Sequence, residues 1–137
     1  MQRAGPVCES RLTMTYLRRE PNLQRGAAAE RRAGLHLEAQ GLRLMTRNYR
    51  CRMGEIDLVM QDGAAVVFVE VRLRGRNALV SAAESIDAHK QSRLIAAAHH
   101  YLMTHARAAN APCRFDCVLM TSQEDGQIEW IKSAFTL

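Results

Sequence analysis

Lysine is the scarcest of the charged residues in this chain. Nineteen residues are Lys or Arg, yet only Lys90 and Lys132 are lysines. A guanidinium and an ammonium are not interchangeable, so these two positions are the places to ask whether an ammonium is required. Chance leaves two as well. Long apolar runs are also missing. None approaches membrane-spanning length, and the first residues lack the apolar stretch of a signal peptide. The expectation is no membrane association and a cytoplasmic location of the bacterial type. Paired cysteines are missing too. Cys8, Cys51, Cys113 and Cys117 include one pair separated by three residues, with no second pair to complete a metal site. They read as reduced thiols that fill the core, which argues against structural zinc. Repeats and low-complexity segments are absent.

The 137 residues suffice for one domain with a real core and are too few for two ordinary ones. Hydrophobic content of 47% fits a globular protein. Charge is uneven: residues 1–52 hold 11 Arg against four acids, a net of +7, whereas the whole chain carries +5, so the remainder is about −2. A basic first third suits a polyanion such as nucleic acid. A merely soluble surface has the same composition.

Residues 1–22 lack periodicity and read as a flexible basic tail, with Met14 an alternative start; residues 23–137 read as a single domain. A first helix spans about 23–40, with Glu30, Ala33, Gly34 and Leu37 on one stripe and Gly41 as its stop. Glu30 thus falls among small apolar neighbours, where a carboxylate needs a partner. Leu42 to Tyr49 reads as a strand, and residues 50–53 as the connection to the next. Residues 73–83 read as a polar loop. A second helix starts near Ser85 or Asp87, with Asp87 as N-cap, and runs to about His105. Its buried arc is Ile86, Leu94, Ala97, Ala98 and Tyr101, with Lys90 projecting inside that arc. A lysine there either snorkels past its neighbours or aims its ammonium at an acid. His99, His100 and His105 form no i, i+4 ligand pair and read as surface or supporting residues. Strands over 113–121 and 127–131 follow, joined at Asp125-Gly126. The element order is α-β-β-β-α-β-β, with helices on both faces of the sheet.

The central pattern is a hairpin. Gly54-Glu55-Ile56-Asp57-Leu58 precedes a turn at Asp62-Gly63, and Phe68-Val69-Glu70-Val71-Arg72 follows it. With that turn, Asp57 lies opposite Phe68 and is a diagonal neighbour of Glu70. Asp57, Val59, Val66, Phe68, Glu70 and Arg72 share one face; Ile56, Leu58, Val67, Val69 and Val71 share the other. Apolar residues on both faces mark a ribbon covered on both sides. Two carboxylates on such a ribbon are costly unless they reach solvent, pair with Arg72, or bind a cation.

This order of elements, with an acid on the second strand and Glu-x-basic on the third, resembles the PD-(D/E)xK nuclease superfamily, which includes restriction endonucleases and archaeal Holliday-junction resolvases. It is closer still to the uncharacterised bacterial YraN family. The residues that carry the resemblance are Gly26, Glu30, Ala33, Leu37, Gly41, Asn48-Tyr49-Arg50, the hairpin motifs, Ala83-Glu84-Ser85-Ile86, Lys90, Arg114-Phe115-Asp116 and Ile131-Lys132-Ser133-Ala134-Phe135. As a set they are specific; singly they are weak. The resemblance implies a restriction-endonuclease-like mixed α/β sheet and metal-dependent cleavage of nucleic acid, DNA before RNA. It implies Asp57 and Glu70 as ligands of Mg2+ or Mn2+, and Glu30 as an outer ligand or water-positioning group. By analogy with resolvases it also implies a homodimer. Arg50, Arg52, Arg74 and Arg76 are expected to contact the phosphate backbone. The chain departs from the nuclease pattern at Arg72, where the superfamily has lysine. A guanidinium stays charged and cannot act as a base, although it can clamp a phosphate or hold Glu70. Lys90, from the neighbouring helix, is the expected source of the missing ammonium. The alternative is a nucleic-acid-binding or assembly protein with a degenerate site.

Overall fold

The computed structural model describes residues 20–74, 86–121 and 126–135. The elements run α1 (Glu20–Ala39), β1 (Arg43–Cys51), β2 (Gly54–Asp62), β3 (Ala65–Arg74), α2 (Ala88–Thr104), a 3-10 turn (Ala106–Ala108), β4 (Cys113–Thr121) and β5 (Ile128–Phe135). The expected order of helices and strands is therefore the observed one. The expectations for the tail before residue 20, for the loop after Arg74, and for Arg76 and Cys8 fall outside the described residues. The first helix begins at Glu20, ahead of the expected 23, with Pro21 in its first turn, where an N–H donor is not needed. β1 also runs further than expected and takes in Arg50 and Cys51. β5 extends to Phe135 rather than ending at residue 131.

The five strands form one sheet in chain order, β1-β2-β3-β4-β5. All neighbours are antiparallel except β3 and β4, which are parallel. Parallel neighbours need a crossover, and α2 supplies it. The sheet carries a layer of side chains on each face. Beneath α2 lie Val59, Val66, Phe68, Phe115, Cys117 and Leu119 of the sheet, packed on Ile86, Leu94, Ala97, Ala98 and Tyr101. Beneath α1 lie Leu58, Met60, Val67, Val69, Val118 and Met120, packed on Ala29, Ala33 and Leu37. The expected buried arc of α2 is the observed one, and Asp87 caps the helix by accepting a hydrogen bond from the Lys90 N–H.

Two features of the hairpin differ from expectation, and both concern the site. Asp62 pairs with Ala65, so Gly63 and Ala64 make the turn, with Gly63 at φ +60°. Pairing is thereby displaced by two residues: Val59, not Asp57, faces Phe68. A two-residue slip preserves the faces, and it carries Asp57 from a diagonal position to the level of Glu70. The second difference is Ile56. It packs beneath α2 with Val59, whereas Leu58 packs beneath α1. The period-two alternation is broken between them, at Asp57. Across the sheet, β1 pairs Arg47 with Leu58 and Tyr49 with Ile56. Asn48, at that same level, adopts φ +52°, a left-handed conformation that Asn tolerates better than most residues.

Candidate active site

The ladder between β2 and β3 runs from Asp62↔Ala65 to Leu58↔Val69 and then stops. Where the next backbone bond would form, the Asp57 carboxylate Oδ2 accepts the Val71 N–H at 2.8 Å. The side chain thus satisfies a backbone donor that the diverging strands have left open. This opening brings side chains from both layers to one place. Glu30 comes from α1, Asp57 from β2, Glu70 and Arg72 from β3, and Lys90 from α2.

Glu70 is the least exposed of these three acids, at only 4%. Its Oε2 lies 3.3 Å from the Lys90 ammonium and 3.6 Å from an Arg72 guanidinium nitrogen. Its Oε1 is buried and has no hydrogen-bond partner. Lys90 therefore aims at the acid rather than past it. Burial, then the charge of Asp57, pushes the Glu70 pKa up to about 7, against the pull of Lys90. The Asp57 pKa is also raised, by burial above all, while the Val71 N–H and the Lys90 charge hold it down. Glu30 rises to about 7 through burial and the Asp57 charge, against a hydrogen bond from Asn48. Asp57 is the middle member, neighbour to both other acids.

Two facing carboxylates, when both are ionised, have no donor between them. Either a proton or a cation must supply the missing positive partner. The orphaned Oε1 and the hard oxygen donors fit Mg2+ or Mn2+, which take one or two carboxylates and complete their shell with water and phosphate oxygens. Among the described residues no three or more His, Cys, Asp or Glu side chains are arranged to enclose a metal ion. What the site offers is the Asp57–Glu70 pair, with Glu30 on the outer side of Asp57.

A second acid clarifies the first. Asp116 is completely buried, yet every demand on it is met. It accepts from Arg114 Nε at 3.0 and 3.2 Å, from Trp130 Nε1 at 2.9 Å and from the Ser133 N–H at 3.0 Å. Arg114 also reaches Asp62 at 3.0 Å. Ser133 has φ +52°, and the β4–β5 register shifts between Phe115 and Cys117. Asp116 holds that irregularity together, which gives the Arg114-Phe115-Asp116 motif a structural role. Glu70, by contrast, is buried with an acceptor unmet.

Of the expected phosphate contacts, Arg50 and Arg52 are exposed at the end of β1 nearest the site. Arg50 forms an ion pair with Glu55 at 3.0 Å. Arg74 ends β3. Sequence reasoning gave no role to Asn48, Gly54 or Arg93. Asn48 supports Glu30. A Cβ at Gly54 would sit 2.8 Å from the Arg93 carbonyl oxygen, so only glycine lets α2 approach β2 this closely. Arg93 lies one turn beyond Lys90, a spacing that places both on one helix face. Among the histidines, His99 is exposed and His100 bonds to the Tyr49 hydroxyl. His105 stacks on Tyr101 with ring centroids 3.8 Å apart.

Fold and site together define a class: a mixed α/β protein whose sheet opens at one strand end onto paired carboxylates flanked by Lys and Arg. The chain belongs to the uncharacterised protein family UPF0102, whose model matches residues 29–120, a span that includes all five of these side chains. It is similar to a UPF0102 protein of Saccharophagus degradans, 53% identical over 112 residues that cover 82% of this chain and 92% of the relative. A UPF0102 protein of Nitrosomonas europaea is 50% identical over 111 residues, covering 81% and 92%. One from Pseudomonas aeruginosa is 49% identical over 121 residues, covering 85% and 96%. No helix among the described residues is long and apolar enough to cross a membrane.

Proposed function

We propose that this protein is a metal-dependent nuclease of the resolvase-like type, acting on nucleic acid phosphodiesters, DNA in the first instance. The observation that carries the reading is Glu70, a buried carboxylate with one oxygen unpartnered, beside Asp57 and 3.3 Å from the Lys90 ammonium. Asp57 and Glu70 are the residues that hold Mg2+ or Mn2+. When bound, such an ion lowers the pKa of water, orients it and offsets charge on the phosphate. Lys90 opposes the rise in the Glu70 pKa and offers N–H donors to the reacting oxygens. Arg72, charged at every relevant pH, clamps a phosphate oxygen and acts as no base. Glu30 orders water on the outer side of Asp57. Arg50 and Arg52 lie where an approaching strand first meets the protein.

The test is incubation of the purified protein with branched and single-stranded DNA, in Mn2+, Mg2+ or EDTA. Cleavage is expected with metal only, and is expected to vanish in Asp57→Ala and Glu70→Ala. Cleavage that survives either substitution refutes this assignment of the site. A second reading is favoured by Arg72, which stands where the nuclease pattern has lysine: a nucleic-acid-binding or assembly protein that keeps the fold. Salt-sensitive binding without cleavage under any of these conditions supports that alternative.

A further inference from the structure

Beside the carboxylates lies a hollow of about 180 Å³ lined by Glu55, Lys90, Arg93 and Leu94. Lys90 belongs to both places. It lines the hollow and its ammonium lies 3.3 Å from Glu70 Oε2. Arg93 is exposed, and among the described residues no carboxylate pairs with it. Its backbone is held in place by the contact with Gly54, which admits no Cβ. Glu55, the one acid in the wall, is offset by Arg50 at 3.0 Å. The hollow thus presents two cations from one helix face, an acid already paired, and an apolar floor at Leu94. An exposed guanidinium that pairs with no carboxylate among the described residues is suited to grip an oxyanion in two-point fashion.

We propose that this hollow seats a backbone phosphate of the nucleic acid strand, adjacent to the phosphate presented to Asp57 and Glu70, with Arg93 as its binding residue and Lys90 spanning the two. The inference rests on the nucleic-acid reading above. Arg93 is a positioning residue: it fixes which phosphodiester reaches the acids and takes no part in bond breaking.

The experiment measures strand binding in EDTA, so it needs no cleavage. Wild-type and Arg93→Gln proteins are titrated with a set of oligonucleotides, each carrying one neutral methylphosphonate at a different position. Arg93→Gln is expected to weaken binding about tenfold and to reduce the slope of log affinity against log salt by roughly 0.7–0.9. At one phosphate position the methylphosphonate penalty seen with wild type is expected to disappear in Arg93→Gln, because charge and partner are lost together. Arg93→Lys is expected to restore the slope but only part of the affinity. Penalties that multiply independently at every position overturn the hollow as a phosphate seat and leave the nucleic-acid reading standing. Failure of the folded wild-type protein to bind any strand overturns both.

Discussion

Glu70→Gln is expected to stabilise the metal-free protein at alkaline pH while removing a proposed metal ligand. A carboxyl whose folded-state pKa stands above its unfolded value keeps its proton where the unfolded chain has released it. Stability is therefore complete below about 4.5, falls as pH rises to about 7, and stays low above that. At about 1.4 kcal/mol per pH unit, this amounts to about 3 kcal/mol for the ionised side chain. Glutamine keeps the shape without the charge. Its loss of attraction to Lys90 and Arg72 counts for little, because both side chains are more than a third exposed and such pairs contribute about 0–1 kcal/mol each. The expected net gain at pH 8.5 is about 1–3 kcal/mol, or roughly 4–12 °C in Tm for a domain of this size. At pH 5 the wild-type group is itself protonated, and the difference shrinks below about 1 kcal/mol. Urea unfolding in EDTA at the two pH values measures both numbers. Excess Mg2+ is expected to raise the stability of wild type but not of Glu70→Gln. A variant less stable than wild type at pH 8.5, or a gain equal at both pH values, refutes the account of Glu70 as an unsatisfied buried charge.

Gly54→Ala places a methyl group 2.8 Å from a backbone oxygen of α2, so unfolding is expected to show a loss of about 1–3 kcal/mol. The same displacement moves Lys90 and Arg93, and strand affinity should fall with it. Asp116→Ala leaves Arg114, the Trp130 N–H and the Ser133 N–H without their acceptor; a loss of about 3–5 kcal/mol is expected in denaturant. Substitution of Asp116 by Asn should recover part of it, whereas equal stability for Ala and wild type would contradict the structural role of this acid. We also propose a homodimer by analogy with symmetric resolvases, and light scattering at micromolar concentration decides between one chain and two.

The second helix was legible almost residue by residue. Its arc of Ile86, Leu94, Ala97, Ala98 and Tyr101 follows from the 3.6-residue period, and Asp87 from capping chemistry. The strands β3 and β4 were equally plain, since each carries a dense β-branched or apolar run. Lys90 stood out because it is a rare lysine inside an apolar arc. The hairpin register was not legible. Asp62-Gly63 is a good turn pair, but Gly63-Ala64 closes the same strands, and a two-residue slip leaves the hydrophobic pattern of both strands unchanged. Only packing against the neighbouring strands separates the two. The break at Asp57 was hidden for a related reason. Alternation predicts Ile56 and Leu58 on one face, and nothing local announces that the strand turns over between them.

What the sequence determined by itself is the list of acids and bases, the order of the elements and which helix face is buried, because periodicity and local propensity act over a few residues. What the tertiary structure decided is that Glu30, Asp57, Glu70, Arg72 and Lys90 meet at one point. That meeting depends on the strands β2 and β3 parting where the Asp57 carboxylate takes over a backbone hydrogen bond, and on Gly54 letting α2 close against β2. Both are contacts between distant parts of the chain, and no local pattern encodes them.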